Sequence, residues 1–323
     1  MSGKDEEYAI LEEIEKRKKQ IYAYIQLVRV LLTLKLYFER RYSLRAFIEP
    51  SVAYEGKGVK EPDLLVLTSS NTAIIFDHKI IGTPDIRTVR SQLVSLNKYY
   101  GILKWRGKEH KVLHAILLCS KESWNNVLRA GLIEKPITWI YELVEDKELC
   151  YKFEIYVPKG AIIEDDILRK ILNVYRKHNM IKIERPREAM KYVFIREPPP
   201  DEYVVERVYR FLYARMDANV DEDEFYLREI VEDYNKYYPP WVLESGEAQQ
   251  LTMGRLIKAL KIMDKIGLAK YKPNEGVVIV KKIKKLSGDM LDYLLEKIIK
   301  QEFEEKKRRP KVKKQTRITN FFK

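Results

Sequence analysis

Two short apolar runs separated by a turn decide the reading of this chain: Glu61-Pro62-Asp63-Leu64-Leu65-Val66-Leu67, then Thr68-Ser69-Ser70-Asn71-Thr72, then Ala73-Ile74-Ile75-Phe76-Asp77-His78-Lys79. β-Branched and large apolar residues bounded by Ser and Asn predict a β-hairpin. With a three-residue loop centred on Ser70, cross-strand partners have numbers summing to 140. Asp63 then falls opposite Asp77, and Glu61 opposite Lys79. Directly opposed residues share a face with Cβ atoms about 4.5–5.5 Å apart. Every second residue returns to that face, so Lys79 joins the pair of aspartates. Two carboxylates and an ammonium would therefore meet on a sheet otherwise built of Leu, Val, Ile and Phe.

Like charges directly opposed destabilise a sheet. A hard divalent cation between them reverses that sign, and Mg²⁺ or Mn²⁺ favours carboxylate, carbonyl and water oxygens. Asp63, Asp77 and the main-chain carbonyl of His78 are the candidate ligands. Lys79 is placed to orient or deprotonate a water. The His78 side chain alternates to the opposite face and is read as packed, and Glu61 is read as a partner of Lys79.

Outward from the hairpin, no Pro or Gly occurs between Lys4 and Glu49, and Ile10, Ile14, Ile21, Ile25, Val28, Leu32 and Leu36 fall at helical spacing. One long helix, or two in succession, is expected. Strand-like runs follow at Ala46–Ala53, Pro62–Leu67 and Ala73–Ile80, then a helix from Asp85 to about Tyr100 capped by Gly101, then the strand Val112–Leu118. This order implies an α/β layer domain. Residues 122–195 carry mixed signals.

At these residues the sequence resembles the PD-(D/E)xK nuclease superfamily, whose fold is restriction-endonuclease-like. Pro62-Asp63 matches the first motif, and Asp77-His78-Lys79 matches the second with Asp in the variable place. The helix–strand–strand–strand–helix–strand order agrees with the family core, over roughly residues 1–120. The resemblance implies metal-dependent hydrolysis of DNA. It also suggests an acid on the first helix, for which Glu39 extends the stripe Val28, Leu32, Leu36, and a Gln on the later helix, for which Gln92 fits. The Gln-x-x-x-Tyr form is not met, because Leu96 stands where Tyr would be.

Pro198-Pro199-Pro200 enforces extended backbone and marks a boundary. Beyond it, helical patterns at Glu202–Met216, Glu222–Tyr237 and Leu251–Ile266 precede a hairpin, Leu268–Lys272 and Val277–Ile283, and a last helix from about Gly288 to Glu304. Residues 201–285 resemble a winged-helix domain. On the third helix, Leu256, Leu260 and Met263 face inward, while Arg255, Lys258, Lys261 and Lys265 make a basic stripe suited to a DNA groove. Lys270, Lys272, Lys281 and Lys282 on the wing would reach phosphates. The acidic second helix is expected to face away from DNA.

The 323 residues carry a formal charge of +13. Nine Lys or Arg and no acid lie between Lys306 and Lys323, so the body holds only +4. Any polyanion site on the body must be local. The chain ends Gln315-Thr-Arg-Ile318-Thr-Asn-Phe321-Phe322-Lys323, which matches the PCNA-interacting peptide at Gln315, Ile318, Phe321 and Phe322. The sliding clamp is the implied partner, reached across a disordered basic stretch.

Two cysteines, Cys119 and Cys150, exclude a thiolate cluster. Two buried free thiols are expected, with a single bridge as the alternative. The longest apolar run, Ile25–Leu36, is interrupted by Arg29 and Lys35, so no membrane span is expected. The chain reads as intracellular, cytoplasmic or nucleoid-associated. A homodimer is left open. The expected organisation is α/β: a nuclease-like domain over residues 1–195, an α+β winged-helix domain with a final helix over 201–303, and a disordered basic tail over 304–323.

Overall fold

The computed structural model describes residues 3–68, 71–78, 94–129, 136–145, 149–185, 194, 199–217, 219–237, 251–283 and 289–308. The fold is mixed α/β with a curled mixed sheet. Two units divide the chain: one comprises residues 22–199 and 232–252, the other residues 1–21, 200–231 and 253–323. One division falls between Pro199 and Pro200, at the three prolines. Two segments group otherwise than the expected domains: residues 1–21 with the C-terminal unit rather than with a 1–195 domain, and residues 232–252 with the larger unit rather than with a 201–303 domain.

Helix α1 (Gly3–Tyr42) is a single 40-residue element. It contributes its last 21 residues to the larger unit, where Leu31, Leu32, Leu34 and Phe38 are fully buried. Phe38 packs on Phe76 and Trp139 with ring centroids 5.7 and 6.1 Å apart, and those two rings meet edge-on at 5.2 Å. Contrary to expectation, this helix meets the length and hydropathy criteria of a membrane span, but 67% of its most apolar stretch is buried inside the fold. Lys35, 2% exposed, is held there by an ion pair to Glu39 and a 2.7 Å bond to the Ala46 carbonyl. A buried ammonium requires such partners.

Ten strands form the sheet of this unit among the described residues. The expected run Ala46–Ala53 is two strands, β1 (Arg45–Ile48) and β2 (Val52–Tyr54), because Glu49 takes φ +46° before Pro50 and turns the chain. After β3 (Gly58–Lys60) come β4 (Leu64–Leu67) and β5 (Thr72–His78). A 3₁₀ turn at Leu96–Tyr99 is the described end of the helix expected from Asp85. Gly101, φ +131°, opens strand β6 (Gly101–Trp105) instead of capping that helix. Arg106 and Gly107, at φ +50° and +77°, then reverse the chain into β7 (Lys108–Ser120). Positive φ at both turn residues is the geometry that matches strand twist in a two-residue hairpin.

The strand order is β1-β4-β5-β7-β6-β2-β3, with β5 parallel to β7. The described part of residues 122–195, whose sequence signals are mixed, completes this sheet. After helix α2 (Lys121–Arg129), β8 (Thr138–Glu145) pairs in parallel with the end of β7. Strand β9 (Leu149–Tyr156) follows antiparallel to β8. After helix α3 (Asp166–His178), β10 (Ile181–Glu184) pairs antiparallel with β9. Both cysteines are buried and free, and burial pushes the Cys119 thiol up to about 12.

In the second unit the described elements are α4 (Asp201–Tyr213), β11 (Glu222–Tyr226), α5 (Leu227–Tyr237), α6 (Met253–Lys265), β12 (Ala269–Lys272), β13 (Val277–Lys281) and α7 (Met290–Arg308). The unit takes only the first five residues of α5. Residues 222–226 are a strand, not the start of the second helix. Glu222 lies opposite Lys281 in an antiparallel ladder, and their charges pair at 3.5 Å. Opposite charges directly across a ladder favour the strand. The sheet order is β11-β13-β12. Helix α7 continues to Arg308, so the first residues of the expected tail are helical; Lys306, Lys307 and Arg308 in its last turn suit the negative end of the helix dipole.

Arg17 on the first half of α1 ties this unit together. Its guanidinium meets Glu13 at 3.0 Å, Glu202 at 2.5 Å and Glu302 at 2.6 Å, and those carboxylates hold its pKa above the ordinary range. Three charged bonds on one half-buried fork act as a unit. Arg17→Ala is expected to lower stability by about 1–3 kcal/mol, read as a fall in the thermal midpoint. An unchanged midpoint would show that the network is only decorative.

Candidate functional site

The hairpin forms in the expected register. Leu64↔Phe76, Leu65↔Ile75, Val66↔Ile74 and Leu67↔Ala73 are the observed pairs. Beyond the loop end, the Thr68 N–H donates to the Thr72 carbonyl at 3.1 Å. Extending the ladder by one position sets Asp63 against Asp77. The Asp63 carboxylate accepts a hydrogen bond from the main-chain N–H of His78, the residue following Asp77. Asp77 itself is 3% exposed and accepts from the Tyr99 hydroxyl at 3.0 Å. Strand ends on β4 and β5 thus bring the two acids together as expected.

Tyr99 is a site residue that sequence reasoning missed. It is 1% exposed, and its hydroxyl also lies 3.3 Å from the Glu61 carbonyl oxygen. Burial and then the Asp77 charge raise its pKa, with Asp63 adding to the effect, so the phenol stays protonated and remains a donor. The signal was the aromatic pair Tyr99-Tyr100 where the predicted helix ends.

Glu49 is the second omission. It pairs by register with Asp63, since Ile48 opposes Leu64, and its N–H donates to the Asp63 carbonyl at 2.9 Å. Glu49, Asp63 and Asp77 therefore form a row at the backbone level across β1, β4 and β5. Glu49 is 8% exposed and left-handed, a conformation that costs free energy in a non-glycine residue. Among the described residues, however, no three His, Cys, Asp or Glu side chains gather as a metal cluster. The donor set that fits a cation is two carboxylates with main-chain and water oxygens, a combination suited to Mg²⁺.

The other expected site residues divide as follows. Glu39 is paired with Lys35, whose other bond is to Ala46 at the loop end of the hairpin, so its described partner lies away from Asp63. A salt bridge to the buried ammonium accounts for its inward position. The His78 ring is buried and bonded at 2.9 Å to the Tyr141 hydroxyl, as expected for the opposite face. Glu61 accepts from Ser51 at 3.3 Å. Lys79 and Gln92 lie outside the described residues.

On α6 the basic stripe is interleaved with acids of its own unit. Lys258 meets Asp201 at 2.8 Å and Lys265 meets Glu305 at 3.6 Å. Lys272 meets Glu275 at 2.7 Å and Glu224 at 3.9 Å. Arg255 is half-buried, whereas Lys261 and Lys270 are exposed and meet no carboxylate among the described residues. Exposed pairs of this kind contribute about 0–1 kcal/mol, so a phosphate can displace them. Gln315, Ile318, Phe321 and Phe322 lie outside the described residues.

No family model, curated protein or solved structure matches this chain. Its own geometry is the ground for a functional reading.

Tyr99→Phe removes one donor to a buried carboxylate. The expected cost is about 1–3 kcal/mol, measured by denaturant unfolding. A midpoint equal to the native one would show that the hydroxyl does not hold Asp77.

Proposed function

We propose that this chain is a metal-dependent DNA nuclease of the PD-(D/E)xK type, recruited to DNA by a winged helix and to the sliding clamp by its C-terminal peptide, in replication, repair or recombination. The observation that carries the proposal is the pairing register that sets Asp63 against Asp77 at a buried strand end. Asp63 and Asp77 would hold Mg²⁺ or Mn²⁺. The cation when bound would supply charge stabilisation at a phosphodiester and lower the pKa of the attacking water. Tyr99 fixes the rotamer of Asp77, and the His78 N–H fixes that of Asp63. Lys79, as the neutral amine, would accept the water's proton as the new P–O bond forms and the P–O bond to the leaving nucleotide breaks, the leaving oxygen taking a proton from solvent.

The element order α4-β11-α5-α6-β12-β13, with β13 central in its sheet, supports the winged-helix reading. The basic residues Lys261 and Lys270 support contact with DNA phosphates. A second reading, a non-catalytic adaptor of DNA and clamp, is favoured by one observation: both carboxylates already accept hydrogen bonds from within the fold. The deciding experiment is incubation of the full chain with Mg²⁺ or Mn²⁺ and flap, fork, single-stranded and duplex DNA. Cleavage that disappears with an Asp77 variant supports the nuclease. Intact binding with no cleavage of any substrate supports the adaptor.

A further inference from the structure

The larger unit carries a second polar concavity, at the loop end of the β4–β5 hairpin. It encloses about 450 Å³, and among its described lining residues are Arg45, Thr68, Trp105, Arg106, Lys108 and His110, with no acid. Three strand ends make it. Arg45 opens β1 opposite Leu67, and Trp105 and Lys108 face each other across the Arg106-Gly107 turn. The guanidinium groups of Arg45 and Arg106 both sit over the Phe47 ring, at 5.4 and 5.5 Å, and Arg106 also sits 5.5 Å over Trp105. Aromatic faces help orient both guanidinium groups here.

Two of the lining residues carry a buried polar atom with no hydrogen-bond partner. His110 is 3% exposed, and its Nδ1 is unbonded; Trp105 is 9% exposed, and its Nε1–H is unbonded. Each orphaned group of this kind costs about 1–3 kcal/mol. Burial, then Lys108 and Arg45, hold the His110 pKa below the ordinary imidazole range. Glu109, the nearest acid in sequence, alternates away and pairs with Lys104 at 3.1 Å. Arg45, Arg106 and Lys108 line the cavity together with Trp105, His110 and Thr68, whose hydroxyl lies 3.0 Å from that of Thr72, and no acid is among the described lining residues. A tetrahedral oxyanion is the ligand that relieves the mutual repulsion and satisfies donors arriving from several directions, and arginine forks favour phosphate.

We propose that this cavity is a phosphate-binding site. It is separate from the carboxylates. Asp63, Leu65 and Leu67 alternate along one face of β4, so the two sites lie on the same face of the sheet, roughly 13 Å apart at about 3.3 Å per residue. The phosphate comes from a small molecule or from a nucleic-acid strand. In the second case the strand would be held over the face that carries Asp63 and Asp77. The site itself does not depend on the nuclease reading.

The test uses the full chain in EDTA and low salt, where the carboxylate site is silent. Inorganic phosphate, a nucleoside 5′-monophosphate and a short oligothymidylate are titrated separately, with calorimetry and the His110 imidazole NMR signal as readouts. Binding is expected to raise the His110 pKa by about a unit or more, as an anion beside an imidazolium does. Lys108→Glu, an exposed change that leaves the core intact, should weaken binding by about tenfold or more, and Arg45→Ala/Lys108→Ala further. Binding of phosphate and the monophosphate identifies a small-molecule source; binding of the oligonucleotide alone identifies a strand phosphate. Asp77→Ala should bind as the native chain does, which separates this site from the proposed catalytic one. If none of the three probes moves the His110 signal, or if Lys108→Glu binds them as tightly as the native chain, the proposal is overturned.

Discussion

Asp77→Asn is expected to reduce Mg²⁺- or Mn²⁺-dependent DNA cleavage by more than about a hundredfold, since even outer partners of metal ligands are worth 10–100-fold. The substitution is chosen to spare the fold. The amide oxygen can still accept from the Tyr99 hydroxyl, which the carboxylate accepts at 3.0 Å. Removing one of two opposed negative charges relieves a repulsion worth roughly 0.2–1 kcal/mol. In EDTA the variant should therefore melt at or slightly above the native midpoint. Addition of Mg²⁺ should stabilise the native chain, by about 2.7 kcal/mol at a hundred times the dissociation constant, and leave Asp77→Asn unmoved. Loss of cleavage together with loss of the Mg²⁺-induced shift is the signature of a shared cation. Cleavage that survives the substitution rules out the catalytic role of Asp77. A Mg²⁺ shift of equal size in both proteins would place the cation elsewhere.

Phe321→Ala/Phe322→Ala should weaken binding of the full chain to the sliding clamp by more than about a hundredfold, because buried aromatic anchors commonly contribute 2 kcal/mol or more each. Residues 315–323 present Gln315, Ile318, Phe321 and Phe322 at the end of a basic stretch. From Arg309 onward the chain lies outside the described residues, beyond the end of α7 at Arg308. The change should leave DNA cleavage in the absence of clamp untouched, since it removes a tether and no part of the carboxylate site. Clamp affinity is read by titration calorimetry. Undiminished affinity would refute the peptide assignment while leaving the nuclease proposal standing. Clamp-stimulated cleavage that vanishes with affinity would show that the tether acts through effective concentration.

How much was legible in the sequence follows from the range of the forces involved. The β4–β5 register was readable because the alternation of Leu, Val, Ile and Phe admits one pairing that buries a single face; a slip by one residue would turn the whole apolar set outward. That same local rule put Asp63 and Asp77 together. The partner of Glu39 was not legible because helical periodicity reports which side a residue faces and not what it meets there. Lys35, on the next turn, supplies the cation and needs the acid itself. Residues 222–226 were read as helix because their acids sit beside a helical pattern, whereas cross-strand pairing with Lys281 decided for a strand.

Composition, spacing and periodicity by themselves determined the mixed α/β class and the hairpin that sets its two aspartates opposite each other, because both are properties of neighbouring residues. Only the tertiary structure decided that Tyr99 joins Asp77 and that Glu49 lies beside Asp63 at the backbone level, that residues 1–21 belong with the C-terminal unit, and that Arg45, Arg106, Lys108 and His110 line one cavity. Those groups are brought together by strands far apart in the chain. Contacts of that kind depend on where the sheet closes, which no local pattern encodes.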